Sequence, residues 1–150
     1  MRTHPYLQGR RPSRPTRLYS SWTSHLQGHW GGPTWDALFL LAADFPHERD
    51  CLEDMPFVAR ELQERRAGWT QLLHSLPNVI TCPVCADHFE DYMRRYPVAA
   101  ALRNRDTLFR WLHRAKDEVN RRTQRTSPSL ERVKKRYIAP CVRRRSRRGK

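Results

Sequence analysis

Apolar residues recur three and four positions apart through most of the middle of this chain, and no convincing pair of strands appears. Trp35, Leu38, Phe39, Ala42 and Phe45 form one helical series, with Pro33 suited to its first turn and Pro46 stopping it. Asp54 and Pro56 can open a second helix carrying Phe57, Val58, Leu62, Trp69, Leu72 and Leu73, and Pro77 ends it. A third runs from about Pro83 to Arg95 with Phe89, Tyr92 and Met93 on related faces, and Pro97 breaks it. Asn104 offers a cap for a fourth, marked by Leu108, Leu112, Ala115 and Val119 and widened by Phe109 and Trp111. Ser127 and Pro128 open a shorter fifth, with Leu130, Val133 and Tyr137 in register. The economical fold is all-α: a four-helix bundle with a short fifth helix.

Charge divides the chain differently. The net charge is +14, but residues 1–35 contribute +5, residues 36–120 contribute −3 and residues 121–150 contribute +12. The high pI therefore describes the ends, not the fold. Residues 1–29 read as a disordered basic arm, residues 30–138 as the folded domain and residues 139–150 as a disordered Arg-rich tail. The longest apolar run, residues 37–43, is far shorter than the roughly 20 residues of a membrane-spanning helix. The start of the chain lacks the apolar stretch of a secretory signal, and Pro5, Pro12 and Pro15 interrupt the amphipathic helix of a mitochondrial one.

The most informative chemistry is Cys82-Pro83-Val84-Cys85 at the start of the third predicted helix. Free N–H groups and the macrodipole at such a start favour a thiolate, the species that attacks disulfides. Three readings of the pair stand side by side. Cys82, Cys85 and His88, with His113 or Cys141, would be a metal set, although the second ligand pair of a closed zinc site is missing. Two structural thiols, or an inert disulfide, are the plain alternative. Redox work requires an electron acceptor; a flavin held among aromatic side chains such as Trp30, Trp35, Trp69 and Trp111 would serve. Cys51 and Cys141 are isolated in sequence.

An ordered set of motifs resembles the Erv/Alr-type sulfhydryl oxidases. Trp30-Gly31-Gly32-Pro33-Thr34-Trp35 is similar to their opening motif, Ala42-Ala43-Asp44-Phe45-Pro46 to the segment that follows, and Cys82 to Phe89 to their redox helix. Trp111 followed by Val119-Asn120 falls at the spacing of their Trp…His-Asn-x-Val-Asn signature, and Ser127 to Tyr137 is similar to their last helix. The resemblance implies bound FAD and a homodimer built from the first helices. It also implies a reaction in which Cys82 exchanges with a dithiol protein substrate or thiol carrier while Cys85 lies against the flavin. Electrons then pass to O2, giving hydrogen peroxide. By position it implies cofactor contacts from Gly31, Trp35, Phe39, Phe45, Cys85, His88, Trp111, Lys116, Val119 and Asn120, and no metal. Two departures stand out. Phe39 and Lys116-Asp117 occupy positions where the family usually has His and His-Asn.

A short core without a second, shuttle cysteine pair looks most like the small thiol oxidases of large DNA viruses. That likeness places the chain in a host cytoplasm or virion, with the mitochondrial intermembrane space or the nucleus as alternatives. The basic tail, with Arg143-Arg144-Arg145, suits polyanion binding. A competing class is a basic nucleic-acid-binding or virion structural protein that retains the helical bundle.

Overall fold

A computed structural model describes residues 20–47, 56–80 and 82–138, with side chains for residues 30–47, 58–80 and 82–138. The described residues form six helices and no strand: α1 (Ser20–Ala43), α2 (Pro56–Val79), α3 (Pro83–Arg95), α4 (Val98–Ala101), α5 (Arg105–Arg122) and α6 (residues 130–138). The expected all-α bundle is therefore present, with α1, α2, α3 and α5 as its long members. The single turn α4 is an addition that four residues of sequence did not announce. None of the described helices is long and apolar enough to cross a membrane.

Helix α1 extends N-terminally of the motif at Trp30. It begins at Ser20, ten residues before Trp30, and carries Pro33 in its interior. Pro33 already has a helical φ and withholds only one i→i−4 donor. The Thr34 hydroxyl donates to the Trp30 carbonyl at 2.8 Å beside it. Pro77 likewise lies inside α2 instead of ending it, its ring fully buried and Ile80 N–H still donating to the Leu76 carbonyl at 3.0 Å. The remainder of the arm, residues 1–19, and the tail, residues 139–150, lie outside the described residues.

Helix α1 packs on α5 and α2 on α3, while α4 bridges α2 and α5. Phe39, Leu73, Leu108, Phe109 and Leu112 form the fully buried centre. Burying each such side chain is worth roughly 1.5–3 kcal/mol, which is what holds helices that would be marginal alone. Guanidinium groups tie the corners: Arg65 donates to the Asp44 carbonyl at 3.1 Å and Arg66 to the Leu102 carbonyl at 2.9 Å. Asn104 caps α5 as its sequence suggests. Its side chain accepts from the Thr107 N–H at 3.0 Å, and Thr107 Oγ1 accepts from the Asn104 N–H at 3.1 Å.

Asp106 fastens α6 to the start of α5. It accepts from Lys134 Nζ at 2.9 Å and faces His47 at 3.3 Å. The Lys134 hydrogen bond, opposed by partial burial, holds the Asp106 carboxyl below the usual carboxylate range. A depressed folded pKa stabilises the fold above the ordinary carboxylate pKa, and the contribution is lost as pH falls through the folded value. Asp106→Asn should therefore lower stability by up to about 1 kcal/mol at pH 7, since the pair is partly exposed. Thermal melts at neutral pH and near pH 3 check this: the gap from the parent chain should close at the acid end.

Candidate active site

Cys82 and Cys85 are joined as a disulfide at the start of α3, with Cα atoms 5.2 Å apart. The local sequence explains the placement. Pro83 occupies the first helical position, and Cys82 is the N-cap in extended conformation, its Sγ accepting from the Cys85 N–H at 3.3 Å. The Cys85 N–H would otherwise be an unsatisfied donor of the first turn. Cys82 is only 6 % exposed, whereas Cys85 is half-buried and Val84 between them is 58 % exposed. Cys82, expected from the resemblance to exchange with the substrate, is the less accessible of the two in this structure. As N-cap, Cys82 turns its sulfur in under the first turn.

No group of three His, Cys, Asp or Glu side chains gathers as a metal site among the described residues. His88 sits on the exposed face of α3 and is not drawn into any cluster with the cysteines.

The aromatic residues separate into two sets. Phe39 is fully buried, stacked on Tyr137 with ring centres 5.2 Å apart and lying 5.5 Å from Phe109. Phe45 is 2 % exposed. Trp111 is held between α3 and α5, 6.1 Å from Phe89 and 4.9 Å from Tyr92, with Nε1 donating to the Tyr96 carbonyl at 2.8 Å. The Tyr92 hydroxyl returns a bond to the Trp111 carbonyl at 2.8 Å, and burial pushes that phenol well above its ordinary range. Phe39, Phe45 and Trp111, each expected from the resemblance to contact the cofactor, are buried among core side chains here. A series of aromatic positions carries no sign of which members face protein and which face a ligand.

The second set is open. Trp35 is half-buried, 6.4 Å from Phe39. A Cβ added to Gly31 would meet nothing within 4 Å, so space adjoins that backbone. The buried Trp30 Nε1 has no hydrogen-bond partner among the described residues. Lys116 is half-buried, its Nζ 5.7 Å from the Phe39 ring, and makes no ion pair among the described residues. Burial lowers its pKa, with Asp36 acting in the opposite direction. Val119 and Asn120 are half-buried one turn on, and Asn120 Nδ2 donates to Ser127 Oγ at 3.1 Å. Asp117 turns away toward Ser127, whose hydrogen bond, with Arg121 at 3.1 Å, keeps its carboxyl below the ordinary range.

One pair was missed from the sequence. The Tyr137 hydroxyl donates to Asp36 in a short hydrogen bond that joins α6 to α1 across 101 residues. Burial, then this bond, pushes the phenol up to about 12. Tyr137 stood out only as an apolar-face position of α6, and Asp36 only as a polar residue between motif positions.

Together these features define a class: a helical bundle with a disulfide at the start of its third long helix and a half-buried lysine on the side where α1 meets α5. The model of the Erv1 / Alr family matches residues 33–138, and the chain belongs to that family. A relative from Invertebrate iridescent virus 3, the putative FAD-linked sulfhydryl oxidase 096R, is 27% identical over 111 residues, covering 74% of this chain and 67% of its own length. The crystal structure of the yeast Erv1 core superposes with a TM-score of 0.59 at 21% identity, over 89% of this chain and 93% of that one. A cysteine-to-serine mutant of Erv1 from Saccharomyces cerevisiae gives a TM-score of 0.59 at 19% identity, over 89% and 73%. At these identities the two structures establish the shared fold.

Proposed function

We propose that this chain is an FAD-dependent thiol oxidase that makes disulfide bonds in dithiol substrates through Cys82 and Cys85. The observation that carries the proposal is the Cys82–Cys85 disulfide at a helix N-terminus in a chain of the Erv1 / Alr family. A substrate thiolate attacks Cys82 Sγ, and Cys85 leaves as the thiolate. The second substrate thiol, deprotonated, then attacks the substrate sulfur of this mixed disulfide and expels Cys82. Two electrons and two protons leave the substrate, and the enzyme pair becomes a dithiol. The Cys85 N–H that meets Cys82 Sγ stabilises Cys82 as the thiolate when it is expelled from the mixed disulfide. Its low exposure restricts attack to a thiol on an unhindered, extended segment.

The open residues fit FAD: among the described residues, a half-buried cation that makes no ion pair, an indole N–H without a hydrogen-bond partner, and space beside Gly31 suit a long aromatic cofactor with two phosphates. Lys116, Val119, Asn120, Trp35 and Gly31 would hold it, and Cys85, the more open sulfur, would face it. When bound, FAD takes the electron pair and passes it to O2, yielding hydrogen peroxide. Visible absorption of the purified chain tests the reading. A flavin band released on denaturation, with about one FAD per chain, is expected. A colourless protein that FAD cannot reconstitute would leave the basic binding-protein reading in its place. Lys116→Glu should weaken FAD binding by roughly tenfold or more, because it sets a carboxylate against the phosphates. Titration of FAD into the stripped protein measures it.

Exposed Leu40 and Leu41 on α1, with Leu72 on α2, support a homodimer through the first helices. A sedimentation mass of one chain would remove that reading. The viral relative supports a host-cytoplasm or virion location, which fractionation of infected cells tests. Binding of polyanions by residues 142–150 rests on their charge; salt-sensitive retention on heparin that survives their deletion would sink it.

A further inference from the structure

At the far end of α3 from the disulfide, a cavity of about 380 Å³ opens between α3, α4 and α5. Its floor is apolar and aromatic, formed by Tyr96, Pro97, Ala101 and Trp111. Its rim carries three exposed guanidinium groups, Arg95, Arg110 and Arg114. Arg114 is fixed in place: its guanidinium lies 3.7 Å from the centre of the Tyr96 ring and donates to that residue's hydroxyl at 2.7 Å. Arg95 is held by Glu118 at 2.6 Å. Arg110 makes no ion pair among the described residues.

This cavity is separate from the proposed cofactor side. On α5, Thr107, Arg110, Trp111 and Arg114 share one face by helical spacing, and Phe109, Lys116, Val119 and Asn120 lie toward the opposite one. No part of the electron-transfer chemistry calls for it.

We infer that the cavity is a docking site for an acidic, apolar segment of the dithiol substrate protein, which rests on the thiol-oxidase reading above. The charge argues for the ligand class. Guanidinium groups pair with carboxylates in a fixed fork, and an aliphatic or aromatic side chain fits the floor between them. A nucleotide fits less well. The neutral hydroxyls at the wall are already engaged: Thr107 donates to the Ala101 carbonyl at 2.7 Å, Tyr92 donates to the Trp111 carbonyl at 2.8 Å, and Tyr96 accepts from Arg114 at 2.7 Å. The position argues for the substrate. Cys85 and Tyr96 are eleven residues apart along α3, roughly 16 Å at helical rise. An extended chain crosses that distance in about five residues. A substrate whose thiols are at the disulfide can therefore place an acidic residue, with an apolar neighbour, in this cavity.

The test uses the full chain and two synthetic dithiol peptides. One carries Glu-Leu-Glu five residues from its cysteines, and the other carries Gln-Leu-Gln. KM for each is read as a ratio to that of a small dithiol. Fluorescence anisotropy separately measures binding of a cysteine-free Glu-Leu-Glu peptide. The acidic peptide should have a KM about tenfold below the amide peptide at low salt, and the gap should shrink at high salt. Arg110→Glu and Arg114→Gln should each narrow it. Equal KM values for the two peptides, or an unaltered gap in Arg110→Glu, would overturn the inference. Displacement of the peptide by equimolar ADP would overturn it in favour of a nucleotide site. Anisotropy that follows the acidic peptide and Arg110 in a chain that oxidises neither dithiol would uphold the docking site and reject the oxidase reading alone.

Discussion

Cys82→Ser and Cys85→Ser should each lower dithiol oxidation by at least about a thousandfold, with flavin still bound. The reason is stoichiometric. Moving two electrons out of a substrate dithiol needs a disulfide that can be opened and closed again, and either substitution leaves a single sulfur. The serine hydroxyl of Cys82→Ser can still accept from the Cys85 N–H, so α3 keeps its cap and the fold is retained. The loss is therefore chemical and not a loss of structure. The two variants also distinguish the sulfurs. Under the proposed roles, Cys85→Ser keeps the entry sulfur and should accumulate a mixed disulfide with an activated substrate thiol. In Cys82→Ser, the remaining sulfur faces the cofactor, and trapping should be slower. Mass spectrometry of the trapped adducts decides it. Faster trapping in Cys82→Ser would reverse the roles, in line with the greater exposure of Cys85 in this structure. Residual oxidation within tenfold of the parent in both variants would remove the pair from the reaction altogether.

How much of this was legible in the sequence depended on how local each cause is. Cys82, Pro83 and the apolar face of α3 lie within a few turns of one another, and helix start and disulfide spacing follow from neighbours alone. Asn104 and Thr107 are equally local, and the cap forms where Asn104 suggested it. The end of α5 is local yet was silent. Gln124 takes a left-handed conformation at φ 55°, with Gln124 N–H donating to the Arg121 carbonyl and Arg125 N–H to the Asn120 carbonyl. That is a Schellman ending without its usual glycine, so no residue marked it. Gly31-Gly32-Pro33 misled in the other direction, because packing of α1 on α5 outweighs the local preference for a break. The site suffered most. Aromatic spacing located Trp35, Phe39 and Trp111 on helix faces, but only the tertiary contacts show what each packs against, Phe39 on Tyr137 and Phe109, and Trp111 on Phe89 and Tyr92. The bond between Asp36 and Tyr137 joins residues whose proximity no sequence period encodes.

Phe39 is where that difference becomes measurable. Resemblance alone treats it as a substituted cofactor contact, in which case restoring histidine should improve flavin binding. The packing argues otherwise. The ring has no exposed surface, stacks on Tyr137 and meets Phe109, so Phe39→Ala leaves a cavity between α1, α5 and α6. Truncations of this kind cost about 3–5 kcal/mol, a large fraction of the 5–15 kcal/mol that holds an ordinary domain. Phe39→His should cost about 2 kcal/mol or more, since a buried imidazole beside apolar rings leaves at least one nitrogen without a partner. Lys116 sharpens the penalty: its ammonium lies on the same ring and disfavours a second cation there. Urea unfolding of both variants gives the stabilities, and flavin titration gives the affinities. Destabilisation of both with no gain in flavin affinity for Phe39→His is the expected result. A stable Phe39→His chain that binds FAD more tightly would mean that position 39 borders the cofactor after all, and that α1 and α6 draw apart when the flavin enters.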